Sequence, residues 1–324
     1  MASSISSTAK STHPPHSIHF YIGLGLMGQL VWGSYPVAAK RAIAEVPKFS
    51  LLLVATLAAM GIGVWMMYRD GARSWRQVVR FLGHEKALWG LAIFVVLRSV
   101  TNILAIDFTR ATWVQLIYLL TPFLVAILGS WFFGEQTPRY TYRALMLSTL
   151  GAALVLVADW RDVLGGFSTR DLLGLGLALG SMLALAFYYQ MIRRSSRNRA
   201  SNGMILFQQS MAMVGTYLVL TVVTGEDWGR WLALSANGWG YVLWVVIGVF
   251  ILGNLWQIAA ISGASPALIT SLMPLRLLSA ISLGWLILGE RLTTVWQWLG
   301  AGLVLVTVSG YLWLQGRDSF RTAL

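Results

Sequence analysis

Tyr118-Leu-Leu-Thr-Pro122 opens a stretch that this chain uses twice. After Pro122 an apolar run continues to Phe133, a Gly134-Glu135 corner follows, and the chain resumes as Leu150-Gly-Ala-Ala-Leu-Val-Leu156. The second copy reads Ser271-Leu-Met-Pro274, an apolar run to Leu288, Gly289-Glu290, then Leu299-Gly-Ala-Gly-Leu-Val-Leu305. Each copy joins a proline-bearing apolar segment, a glycine–acid corner and a second apolar segment that opens on small residues. Repetition of this kind predicts two structural units in tandem.

The surrounding sequence has the composition of a membrane protein. Of 324 residues, 57% are hydrophobic and 11% charged, whereas soluble domains carry about 25% charged residues. Ten runs approach the ~20 apolar residues that a helical span needs: Ile18–Ala39, Phe49–Tyr68, Ala87–Asp107, Ala111–Phe133, Tyr140–Val157, Leu172–Ile192, Met204–Val223, Trp239–Ile261, Ser265–Leu288 and Thr293–Leu314. They are too long and continuous for barrel strands. The predicted fold class is therefore an all-α polytopic membrane protein, ten transmembrane helices in two five-helix inverted repeats. The expected divisions are a disordered tail at 1–17, a first repeat at 18–157, a linker at 158–171, a second repeat at 172–315 and a tail at 316–324.

Charge sets the expected orientation. With the N-terminus inside, fourteen Lys and Arg fall on the cytoplasmic side and eight (Lys40, Arg41, Lys48, Arg110, Arg161, Arg170, Arg230, Arg291) on the other. This is the positive-inside bias, and it places both termini in the cytoplasm. It also accounts for the net charge of +12 without invoking nucleic acid. Five helices per half is an odd number, so the second half enters from the opposite side. An offset of 155 lays Glu135 on Glu290 and Asn102 on Gln257, and an offset of 153 lays Tyr35 on Tyr188 and Lys40 on Arg193. Inverted repeats place substrate sites near the midplane, between the repeats.

At Trp32-Gly-Ser-Tyr-Pro-Val-Ala-Ala-Lys40 the chain resembles the first helix of EamA-type carriers of the drug/metabolite transporter superfamily, and its two Gly-Glu corners resemble the ends of their fourth and ninth helices. The resemblance covers about residues 20 to 315 and implies a ten-helix carrier that exports or exchanges small metabolites, amino acids among them. It also implies an integral protein of the bacterial inner (plasma) membrane. The two copies differ in spacing. Pro274 lies sixteen residues before Glu290 and Pro122 thirteen before Glu135, so family substrate contacts do not transfer through these segments.

Two arginines stand out. Arg98 and Arg276 each fall near the middle of a span, where an arginine costs at least about 2.5 kcal/mol, and no Asp or Glu lies at comparable depth. A substrate anion is one source of the missing charge, because the guanidinium fork matches carboxylate or phosphate. The other reading ties each arginine to exposed carbonyls or to a neighbouring helix, which Pro274 favours for Arg276. Arg98, Thr101, Asn102 and Ala105 share one helical face, as do Gln115, Tyr118 and Pro122. Asn254 with Gln257, and Gln208 with Gln209, interrupt two further spans. Trp32, Tyr35, Tyr188 and Tyr189 are candidates to line the pathway. The candidate substrate site is thus Arg98, Asn102, Gln257, Tyr118, Tyr35 and Arg276. Gly174, Gly176, Gly180, Gly151 and Gly300 read as close helix approaches, since none lies in a strand–turn–helix context that would cradle phosphate.

Enzymatic chemistry finds no residues here. The four histidines (His13, His16, His19, His84) lie outside the spans, there is no His-Glu-x-x-His, and cysteine is absent. No catalytic residue, metal or cofactor is expected. The expected function is secondary transport of a small organic metabolite, an amino acid or related compound, by a monomer or homodimer in the lipid bilayer. Two alternatives stay open: an antiporter of phosphorylated sugars or nucleotide sugars, and a non-transporting scaffold or channel.

Overall fold

A backbone in hydrocarbon must satisfy its own hydrogen bonds, and these apolar runs do so as helices. A computed structural model describes residues 17–70, 85–133, 140–156, 168–198, 200–264, 266–270, 272–290 and 294–321. Among them the elements are α1 (Ile18–Glu45), α2 (Lys48–Arg69), α3 (Lys86–Phe108), α4 (Ala111–Tyr118), α5 (Thr121–Phe133), α6 (Thr141–Leu156), α7 (Thr169–Arg197) and α8 (Asn202–Val223). A 3₁₀ turn follows at Trp228–Ala233. The remaining helices are α9 (Ala236–Gly263), α10 (Pro266–Thr270), α11 (Pro274–Leu283) and α12 (Val295–Arg321).

Among the described residues, six helical stretches are long and apolar enough to cross a membrane: α2, α3, Trp113–Phe132, α7, α8 and α9. Leu275–Leu288 and Val295–Tyr311 are shorter apolar helices. The chain is an integral membrane protein. Helix reaches into the linker and tail expected at 158–171 and 316–324: α7 begins at Thr169, and α12 runs on to Arg321. Hydropathy marks the hydrocarbon crossing, whereas caps end helices; Ser168 caps α7 by accepting from the Asp171 N–H at 3.1 Å. The N-terminal segment to residue 16, the Gly134-Glu135 corner and residues 157–167 lie outside the described residues.

The repeated proline stretch breaks a helix both times. Leu119 and Leu120 donate three residues back, to Leu116 and Ile117, at 3.1 and 3.0 Å. Leu272, Met273, Leu275 and Arg276 do the same, Arg276 reaching Met273 O at 2.8 Å. Pro122 has no N–H for the Tyr118 carbonyl, and the Thr121 hydroxyl takes its place at 2.6 Å. The corner after the second copy ends its helix as its sequence requires. Gly289 sits at φ +69°, the left-handed conformation that glycine alone adopts without strain. Its N–H closes on Gly284 O.

Packing interleaves the two halves. α2 lies along α8, α3 along α7, α6 along α12, and α1 along both α9 and α11. Glycine permits close helix contacts here: a Cβ on Gly33 would meet the Arg276 carbonyl oxygen at 2.7 Å, and one on Gly151 would meet Val304 Cγ2 at 2.8 Å. Gly176 and Gly180 have nothing within 4 Å, so they are not close approaches, unlike Gly174, which lies against Thr109.

One end of the bundle is held by polar contacts. Lys40 reaches Thr109 O at 2.9 Å and Glu290 at 3.4 Å, and Glu290 also accepts from Ala111 N at 3.3 Å. Lys48 pairs with Asp107 at 2.6 Å, and Arg170 with Asp107 at 3.5 Å. Glu226 accepts from Phe49 N and Ser50 N at the start of α2, where the helix dipole favours an anion. Glu45 accepts from both N and Oγ of Ser235 at 3.0 Å, which lowers its carboxyl pKa, the backbone donor contributing most.

Candidate substrate-binding site

α3 carries Arg98 and Asn102 into the protein on one face, 4% and 5% exposed. Thr101 from the same helix face bonds its own backbone, Oγ1 to Leu97 O at 2.6 Å. The Arg98 guanidinium lies 4.4 Å from the Trp32 ring centroid and 5.6 Å from that of Tyr188, a cation–π arrangement. Arg98 Nε has no acceptor, and no described carboxylate forms an ion pair with it. Beside it is a cavity of about 10 Å³, bounded by Trp32, Tyr35, Asn102, Phe250 and Asn254 among others. That is room for about one water.

The walls are held by their own bonds. Tyr217 donates to Ser99 Oγ. Asn254 Nδ2 donates to Phe250 O at 2.9 Å, where α9 leaves a wide-turned π segment, Trp244–Gly253. Such segments recur at functional sites. Trp32 Nε1, Arg98 Nε and Asn102 Oδ1 are buried without partners among the described residues. Two unmet donors and one unmet acceptor thus border one cavity.

Arg276, 2% exposed, lies in a different setting. Its Nε donates to Gln29 Oε1, and its Nη2 to Tyr189 Oη at 3.0 Å and Gln257 Oε1 at 2.9 Å. Gln29 Nε2 continues to Ile269 O at 3.0 Å, and Tyr189 donates to Gln257 at 3.1 Å. Arg276 therefore knots α1, α7 and α9 to α11. Trp32 is shared: Arg276 is 5.7 Å from its ring centroid.

Of the six candidates, Arg98, Asn102 and Tyr35 border one cavity, while Arg276 and Gln257 bond each other beside it. Tyr118 is one layer away, hydrogen-bonded to Ser181, whose hydroxyl donates to Arg98 O at 2.6 Å. Since that donation uses the serine proton, Tyr118 is the donor of the first bond. Gln29, Ser99, Ser181, Met213, Tyr217 and Phe250 complete the arrangement and were not singled out from sequence. Gln29 alone left a signal, as an isolated amide in an apolar span.

A profile of the EamA-like transporter family matches residues 19–157 and again 172–313. The chain belongs to that family. Its place in the drug/metabolite transporter superfamily agrees with two curated relatives. It is 28% identical over 186 residues to Protein RarD of Salmonella typhi, covering 56% of this chain and 58% of that one. It is 25% identical over 227 residues to the UDP-N-acetylglucosamine/UDP-N-acetylgalactosamine transporter nstp-4 of Caenorhabditis elegans, covering 66% and 65%. The matches thus span under two thirds of these relatives' lengths. A crystal structure at 18% identity superposes with a TM-score of 0.63 over 93% of this chain and 99% of the other, a likeness of fold alone. The site geometry of this EamA protein is therefore read from its own residues.

Proposed function

We propose that this EamA protein is a secondary transporter that moves a small, acid-bearing organic metabolite by alternating access, with Arg98 anchoring the acid. The reading takes it as ten spans in two oppositely oriented five-helix repeats, both termini cytoplasmic, in a plasma membrane of the bacterial inner type. The observation that carries it is the buried Arg98 guanidinium with an open Nε beside a cavity. A buried cation without a counter-ion is costly, and a substrate carboxylate supplies charge and acceptors together. The two proline-broken segments near the site support it, because discontinuous helices build transporter sites. Membership of a transporter family weighs against a scaffold or an enzyme.

A second reading, transport of a phosphorylated sugar or nucleotide sugar, is favoured by the second cation beside Trp32 and by the printed substrate of the nematode relative. Counterflow by purified full-length protein in liposomes tests both. Carboxylate or phosphorylated compounds should exchange with the wild type, and Arg98→Gln should abolish exchange while the protein stays folded. Exchange unaffected by Arg98→Gln would sink the anchor role, and no exchange of any acid would sink transport of an acid.

A further inference from the structure

We propose that the Arg98 site selects a net anion, a carboxylate beside a neutral hydroxyl or carbonyl, over the zwitterionic amino acid of the same skeleton. This rests on Arg98 being the anchor and names what lies next to the anchored group.

The argument starts from charge. Arg98 and Arg276 both stand over Trp32, at 4.4 and 5.7 Å from its ring centroid. Each of the two described acids at the outer ends of the helices carrying these arginines is already tied. Asp107 holds Lys48 and Arg170, and Glu290 holds Lys40 and Ala111 N. The other described acids, Glu45, Asp70, Glu85, Asp171, Glu226, Asp227 and Asp318, also lie at, near or beyond helix ends. A carboxylate arriving at Arg98 compensates one buried cation. An α-ammonium arriving with it restores the excess, in surroundings where an unpaired charge is poorly solvated. The ring of Trp32, the best cation–π partner in the site, is already engaged by guanidinium groups.

The hydrogen-bond inventory agrees. The open donors, Arg98 Nε and Trp32 Nε1, call for acceptor oxygens. The one open acceptor bordering the cavity is the neutral Asn102 Oδ1. An amide oxygen takes one bond from a hydroxyl, and with its amide turned over Asn102 gives one to a carbonyl. It satisfies a single N–H of an ammonium and leaves the charge unmatched. A 2-hydroxy or 2-oxo acid therefore meets the open atoms without bringing in a cation, whereas an amino acid meets them but leaves its own ammonium charge and remaining N–H groups unmatched.

The test uses matched probes on full-length protein in nanodiscs, with dissociation constants from ligand-dependent thermal stabilisation. One series is lactate, pyruvate, alanine and ethylamine. The other is 2-hydroxyisocaproate, 4-methyl-2-oxopentanoate, leucine and isopentylamine. In at least one series the hydroxy or oxo acid should bind at least tenfold tighter than its amino acid, and the amine should not bind. Asn102→Asp places a carboxylate where the ammonium lands, so it should shift the amino-acid to hydroxy-acid ratio at least tenfold toward the amino acid. That ratio is read within one variant and does not depend on its absolute stability. Amino acid binding equal to or tighter than its partners, but still lost in Arg98→Gln, would overturn the anion preference and leave the anchor standing. Binding indifferent to Arg98→Gln would overturn the anchor itself. No binding by any probe of either series would overturn both.

Discussion

Two arginines share one tryptophan and differ in almost everything else. Arg276 is surrounded by neutral oxygens of Gln29, Tyr189 and Gln257, whereas Arg98 Nε has no acceptor. Both are buried, Arg98 midway along α3 and Arg276 in the first turn of α11. Burial depth alone does not separate a knot from a binding group. The state of the hydrogen bonds does: a satisfied guanidinium stabilises the empty protein, and an open one awaits a partner.

The contrast can be broken by the same substitution at each position. Arg276→Gln strands the acceptors of three helices, and the empty protein should lose about 3 kcal/mol, read as a lower melting temperature without ligand. Arg98→Gln should leave that temperature nearly unchanged and weaken acid binding at least hundredfold, about 2.7 kcal/mol. If the two variants behave alike, open and satisfied hydrogen bonds do not distinguish these roles.

Smaller effects sharpen it. Gly289→Ala forces a side chain into the left-handed region at the end of the segment that carries Arg276, at a cost of about 1 kcal/mol. Chemical denaturation should show that loss, with the preference among acids unaltered; a changed preference would couple the corner to the Arg98 cavity. The weakest effect belongs to Glu45. Its carboxyl pKa is lowered in the folded protein by Ser235, so its contribution is present above the unfolded-state value and fades as pH falls through the folded-state one. A melting profile toward acid pH should be flatter in Glu45→Gln, while the affinity ratio between wild type and Arg98→Gln measured at each pH stays constant. An unchanged profile would show that the Ser235 contact is not holding this end.

How much of this was legible in the chain depends on the range of the interaction involved. The paired prolines and the Gly289-Glu290 corner act through the local backbone: a missing N–H and a left-handed φ. Their broken helices and their stop are therefore encoded within a few residues. The twofold occurrence of the EamA domain is likewise a sequence property. So is the isolation of Arg98 and Arg276 from acids of similar depth, since a span of known length fixes depth along a helix.

Which arginine was bonded, and to what, is a property of neighbours far apart in sequence. Gln29 and Arg276 are separated by 247 positions, and Gln257 and Tyr189 by 68. Periodicity gave Arg98 and Asn102 a common face but not the rotation that points it at Trp32 and Phe250 from other helices. Tyr118 shared a predicted polar face, yet its hydroxyl is taken by Ser181. Sequence alone determined the membrane-spanning class and the family, because each follows from local chemistry or helix length. Read by hydropathy, Ala111–Phe133 and Ser265–Leu288 run as unbroken spans, and the structure breaks both at their prolines. Only the tertiary structure decided that one cation is satisfied and the other open, because hydrogen-bond completion depends on side chains brought together by helix packing.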